Sequence, residues 1–149
     1  MLGTLTSEQI EQVLRTEVIG RIGCHLEGRT YVVPITYAYL DGAVYAHSAE
    51  GLKLQMMRMN PAVCFEVDHM DDMANWRSVI ATGRFEELHG EAAKLGLQVL
   101  LARLAPLMTS ESSTPSHGRP EAHRADTAGH TAVLYRVMLS EKTGRFEKR

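Results

Sequence analysis

Residues 31–61, YVVPITYAYLDGAVYAHSAEGLKLQMMRMNP, constrain this chain more than any other stretch. Two apolar runs alternate on either side of Asp41-Gly42, and Asp-Gly is a strong signal for a two-residue type I′ turn. The stretch therefore reads as a β-hairpin. A two-residue turn sets the register: Leu40 opposite Ala43, Tyr39 opposite Val44, Ala38 opposite Tyr45, Tyr37 opposite Ala46 and Thr36 opposite His47. Alternation then places Thr36, Ala38, Tyr45 and His47 on one face, and Ile35, Tyr37, Tyr39, Val44, Ala46 and Ser48 on the other. Pro34 has no N–H to donate to a ladder, so it belongs at a sheet edge, a strand start or a bulge.

After this hairpin the chain runs through the polar loop His47-Ser48-Ala49-Glu50-Gly51 into a segment with Leu52, Met56 and Met59 at helical spacing. A helix start exposes unpaired N–H groups and partial positive charge, which suits an anion. Lys53 in the first turn adds like charge to that dipole, a mild penalty that a bound phosphate reverses. Ser48 offers a hydroxyl, Gly51 permits close approach of backbone, and Lys53 with Arg58 offers cations; the competing reading is a solvated helix start. Neither a Walker loop nor a GxGxxG run is present.

Elsewhere the pattern is that of one small domain covering residues 1–149. Residues 6–17 open with a capping box from Thr6 to Gln9 and carry Ile10, Val13 and Leu14 at helical spacing. Strands are expected at residues 18–26, 62–68, 77–88 and 131–140, with a turn at Glu27-Gly28 and a polar connection without clear structure at 70–75. Arg21 is read as a ligand contact or a rim ion pair. Residues 90–108 form the longest helical candidate, with Ala93, Leu97, Leu100, Leu101 and Leu104 on one face. Residues 109–129 are poor in apolar side chains and read as a flexible loop, and 141–149 as a charged tail. Six strand segments with flanking helices make an α+β protein built on a small antiparallel barrel.

Charge and cysteine usage exclude several classes. A formal charge of −2 and a pI near 6.4 leave no footprint for nucleic acid. No apolar run has the length of a membrane span, and no signal core opens the chain, so the cytoplasm is the expected location. Cys24 and Cys64 sit in strand patterns and read as buried free thiols. His117, His123 and His130 match no zinc spacing, so no metal site is expected.

Taken together, VVPITYAYLDGAVYAHSAEGLKLQMMRMNPAVCFEVD and the later NWRSVIATGRFEEL resemble the pyridoxamine 5′-phosphate oxidase-like FMN-binding split barrels, nearest to their nitroimidazole-resistance-type branch. The resemblance is carried by PxxY, HSxxGxK, NPxVCFEVD and WxSVxxxG. It implies a split β-barrel with FMN at the interface of a homodimer. Pro34, Ile35, Thr36 and Tyr37 would present backbone to the flavin ring edge, and Ser48, Gly51 and Lys53 would hold the phosphate end. Trp76 and Ser78 are carried over as flavin or phosphate contacts, against the plainer reading of Trp76 as a packed loop corner. His47, beside the cradle, is either a proton donor to a small-molecule substrate or a structural histidine.

The chain also departs from the family. Its end, SEKTGRFEKR, lacks the tryptophan-glutamine and arginine-histidine signature of true pyridoxamine phosphate oxidases, and Leu52 replaces a basic residue common in relatives. The leading expectation is an FMN-dependent oxidoreductase or reductase of a small molecule, nitroaromatics being one candidate class. The alternatives are a flavin carrier or sensor without turnover, and a haem-binding protein on the same barrel using a loop histidine.

Overall fold

The computed structural model describes residues 1–108 and 132–149. In chain order its elements are β1 (Leu2–Thr4), α1 (Ser7–Thr16), β2 (Ile19–Leu26), β3 (Arg29–Thr36), β4 (Ala38–Leu40), β5 (Ala43–Ser48), α2 (Leu52–Met59), β6 (Ala62–Asp72), β7 (Asn75–Glu87), α3 (Gly90–Leu104), a 3-10 turn at Ala105–Leu107, and β8 (Val133–Glu147). The capping box forms as its sequence requires. The Gln9 N–H donates to the Thr6 hydroxyl at 3.2 Å, and the Thr6 N–H donates to Gln9 Oε1 at 2.9 Å.

Both two-residue turns take the type I′ geometry, which the residues of Asp41-Gly42 favour and which Glu27 adopts against its own preference. Glu27 and Gly28 take φ of 51° and 80°, Asp41 and Gly42 49° and 80°, the left-handed pair that lets tightly linked strands keep their twist. Leu40, Tyr39 and Ala38 face Ala43, Val44 and Tyr45 in the expected register. The expected pairs Tyr37–Ala46 and Thr36–His47 do not form. Residues upstream of Tyr37 pair with β2, Thr36 facing Ile19, while Ala46 and His47 face Tyr135 and Leu134 of β8. At the break, the Tyr37 N–H donates to the Val18 carbonyl at 2.9 Å. A hairpin read locally cannot show that β2 and β8 offer longer ladders to its two halves.

That break explains the architecture. Strand order is β3-β2-β6-β7-β8-β5-β4, with β1 on β8, all antiparallel. The two strands at the ends of this order, β3 and β4, are separated in the chain by Tyr37 alone. One residue cannot span an open sheet, so the sheet curls until its edges meet: a barrel, split where β3 and β4 share no ladder. The fold is thus α+β, with eight strands among the described residues rather than six. The two extra strands are β1 and the product of the split at Tyr37.

Two further expectations are corrected by pairing partners far away in sequence. Residues 70–75 are not an unstructured connection: β6 continues to Asp72 and returns through Met73 and Ala74 into β7, with a bulge between Met70 and Asp72. Most of the charged tail is strand, because Arg145, Phe146 and Glu147 lie between β7 and β1. Alternation there is obscured by a bulge after Leu139, where the register of β8 against β7 slips.

The barrel interior is filled by Ile22, Cys24, Tyr37, Val44, Phe65, Val67, Val79, Tyr135 and Val137, with Val13 and Leu14 of α1 and Leu54 and Met57 of α2 closing it. Tyr37 is fully buried, its ring edge-on to Phe65, its hydroxyl donating to the Leu14 carbonyl at 2.8 Å. A separate cluster outside the barrel seats Leu100 and Leu104 of α3 on Ala38, Ala43, Tyr45 and Leu134. The two hairpin faces read from sequence are therefore one inner and one outer surface, as alternation demands. Among the described residues no helix is long and apolar enough to cross a membrane. Both cysteines are free thiols; Cys24 is buried as expected, but Cys64 is exposed because its register position beside Gly23 points outward. Arg21 makes a loose rim pair with Glu66 at 3.9 Å.

Candidate functional site

The split at Tyr37 brings three separate pieces of chain together. The end of β3 (Pro34, Ile35, Thr36), the end of β5 and its loop (His47, Ser48, Ala49), and Lys53 of α2 line one cavity of about 280 Å³, with Leu104 of α3 as a further wall. Six of the sequence-predicted residues meet there. Leu104 was beyond sequence reasoning, since it reads simply as part of the apolar face of α3.

Electrostatics distinguish this cavity. Lys53 is half-buried, and burial holds its ammonium below the usual lysine range. No carboxylate of the described residues lies within 4.0 Å of it. Arg58, expected to share its role, is committed elsewhere. Its guanidinium donates to Glu50 at 2.7 and 2.8 Å and to Glu87 at 2.7 Å, a bidentate network that also pulls the Glu50 carboxyl down in pKa. Among the described residues, Lys53 alone supplies a lysine or arginine cation to the cavity wall. The adjoining helix start has no side-chain cap and no acidic residue in its first turn, so its first N–H groups and Lys53 present the same sign.

Gly51 opens α2 with extended φ, and a methyl group placed on it would meet nothing within 4 Å. Among the described glycines it is the one that neither a positive φ nor a close neighbour requires. Gly51 is not one of the residues that line the cavity, and the space in front of it is open among the described residues. Ser48 differs from expectation: its hydroxyl donates to the Ala49 carbonyl at 2.8 Å, so offering that proton to an anion requires a rotation about χ1. His47 lines the cavity beside Thr36 and Ser48, and its backbone ladders with Leu134 of β8. Tyr37 is not in the lining; both its hydroxyl and its N–H serve the closure of the barrel.

Trp76 and Ser78 are not brought to this cavity. Trp76 lies at the far end of β7 and borders a larger cavity of about 610 Å³ beneath α1; its indole N–H donates to Glu147 at 3.2 Å. Ser78 faces Asp68 and Arg145 on the neighbouring strands. In the larger cavity, His69 is held between two carboxylates, Nδ1 2.6 Å from Glu17 and Nε2 3.1 Å from Asp71, and these contacts push its pKa up. Sequence reasoning had no signal for this group, whose members come together only through the packing of α1 on β6. No cluster of metal-ligating side chains occurs among the described residues, and His117, His123 and His130, together with the expected loop at 109–129, lie outside them.

The fold is shared with known proteins. A crystal structure of an FAD-binding protein from Mesorhizobium loti superposes with a TM-score of 0.79 at 31% identity, covering 99% of each chain. A Bacteroides thetaiotaomicron protein assigned to 5-nitroimidazole antibiotic resistance shares the fold, with a TM-score of 0.71 at 21% identity over 98% of this chain and 89% of that one. An uncharacterized protein of Rhizobium meliloti is 33% identical over 84 residues, which is 56% of this chain and 56% of that relative's length. The family model described as pyridoxamine 5′-phosphate oxidase matches residues 6–146, from the cap of α1 to the last inward-facing residue of β8. With the split barrel, its closure at Tyr37 and a match of that extent, the chain belongs to the pyridoxamine 5′-phosphate oxidase family.

Proposed function

We propose that this protein binds flavin mononucleotide in the cavity formed by the ends of β3 and β5 and the start of α2, and that it is an FMN-dependent oxidoreductase of a small molecule. The observation that carries this reading is Lys53, a half-buried cation beside an uncapped helix start with no carboxylate partner among the described residues. A phosphate there gains a charge-assisted hydrogen bond and cancels like charge that the bare site leaves in place. Open space in front of Gly51, the N-cap of the same helix, leaves the helix start accessible to that group. An FAD-binding protein with the same fold over its whole length supports a flavin in general, so FMN and FAD are titrated side by side.

When bound, the flavin supplies the electron or hydride transfer itself. In this reading Pro34, Ile35 and Thr36 orient the ring edge, Lys53 with the start of α2 anchors the phosphate, and His47 stands as the proton donor lining the same cavity. At about 280 Å³ the cavity sits at the lower edge of the ~300–1,000 Å³ of ordinary small-molecule sites, and in this reading a second copy of the chain supplies the remaining walls. A homodimer completes it. Support for a second copy comes from the outward face of β2, β3, β6 and β7, where Ile19, Val32 and Ile80 are more than half exposed and Pro34 joins this face to the cavity. Nitroaromatics remain the first substrate class to assay.

Lys53→Ala is expected to weaken FMN binding by roughly 1.5–3 kcal/mol, the scale of a hydrogen bond to a charged group. Flavin fluorescence titration of the folded variant measures this; unchanged affinity removes the phosphate assignment. Reduction of the bound flavin by NAD(P)H followed by reoxidation with a nitroaromatic separates an oxidoreductase from a carrier or sensor.

A further inference from the structure

The 610 Å³ cavity beneath α1 lies well within the size range of small-molecule sites and is built from different elements than the Lys53 cavity. Strand register places His69, Arg77 and Phe146 side by side in one row across β6, β7 and β8, facing α1. Leu5 and Val13 add apolar wall, both nearly fully buried. The charges in this cavity are not equally spent. Glu17 and Asp71 are both answered by His69, and Glu147 receives the indole N–H of Trp76. Arg77, by contrast, makes a single contact to Gln12 Oε1 at 3.5 Å, the outer limit of a hydrogen bond, and the Lys148 ammonium has no partner among the described residues. Each of these carboxylates already accepts a hydrogen bond, whereas Arg77 and Lys148 keep unused donors among the described residues, so the cavity can still pair an anion.

We propose that this cavity is a second ligand site, independent of the flavin reading, for a small aryl carboxylate: its charge on the Arg77 guanidinium, its ring against Phe146, Leu5 and Val13. A guanidinium presents a planar fork of N–H donors that matches a carboxylate, and an aromatic ring is the ligand body that packs best against a phenyl group with aliphatic neighbours. Lys148, at the rim, adds positive charge on the same side.

Trp76 is the protein's only tryptophan and lines the same cavity, so its indole N–H resonance reports on occupancy. The test uses the ¹⁵N-labelled full chain titrated with 2-naphthoate, and with neutral 2-naphthamide as the matched control. The expected result is a saturable shift of the indole N–H resonance with 2-naphthoate and at least fivefold weaker binding of 2-naphthamide. Arg77→Gln, an exposed substitution, should weaken 2-naphthoate at least fivefold and leave 2-naphthamide unchanged, while Lys53→Ala and added FMN should leave 2-naphthoate binding unaffected. No saturable shift, or equal affinity of the wild type and Arg77→Gln for 2-naphthoate, overturns the site. Displacement of 2-naphthoate by FMN, or its loss in Lys53→Ala, overturns its independence and assigns the cavity to the flavin site.

Discussion

Tyr135 shows how a single buried group can be tested without touching the site. It is fully buried against Phe85, burial pushes its phenol pKa up, and its hydroxyl has no hydrogen-bond partner among the described residues. An unsatisfied buried hydroxyl costs about 1–3 kcal/mol, so Tyr135→Phe should raise stability, by about 1 kcal/mol after the native hydroxyl's small packing contribution is lost. Urea denaturation of the two proteins at equal slope measures the difference; a less stable variant would mean the hydroxyl is satisfied after all. The same scale shows what sequence could and could not say of the cradle. That Lys53 stands in the first turn of a helix beside a polar loop was legible, because helix spacing and the charge of a lysine are local properties. That Arg58 would be withdrawn from it was not legible, since Glu87 lies 29 residues away on β7.

At the scale of elements, α1 is fastened at both ends by different chemistry. Its start is held by the capping box, and its C-cap residue, Glu17, is tied to β6 through His69. The contacts raise the His69 pKa above that of the unfolded chain, so the extra stability is complete below about pH 6.5 and is lost as pH rises through the raised folded value. The side chain is half exposed, which limits the effect to under about 1 kcal/mol. The wild type should therefore exceed His69→Gln in urea midpoint at about pH 5.5 and match it at about pH 9. A gap that is the same at both values would show a packing role instead of an ionic one. The Glu17–His69 tie spans 52 residues, and nothing in either local sequence announces it.

For the whole molecule, the outward sheet face carries the proposed dimer. Neighbouring rows run Val32, Gly23, Cys64, Thr82 and Pro34, Arg21, Glu66, Ile80, with only the loose Arg21–Glu66 pair to interrupt a small and apolar surface. Burying an isoleucine in a dimer contributes about 1.5–3 kcal/mol, and burying an unpaired aspartate in its place is strongly unfavourable. Ile80→Asp is expected to convert a particle of twice 16.6 kDa into one of that mass and to weaken FMN binding with it. Light scattering after gel filtration measures the first and flavin titration the second. A dimer that survives the substitution would place the interface on another face.

The helices, the type I′ turn at Asp41-Gly42, the position of the turn at Glu27-Gly28, the alternation that separates barrel interior from exterior, and the loop entering α2 were determined by sequence alone, because each depends on residues within a few positions of one another. The division of the central hairpin at Tyr37, the recruitment of residues 141–147 into β8, the withdrawal of Arg58 and the separation of Trp76 from the Lys53 cavity were decided only by tertiary structure. The physical reason is common to all four. Backbone and charged groups take the partners that offer the most complete hydrogen bonding in the folded chain, and those partners lie on strands and helices that local sequence does not bring into view.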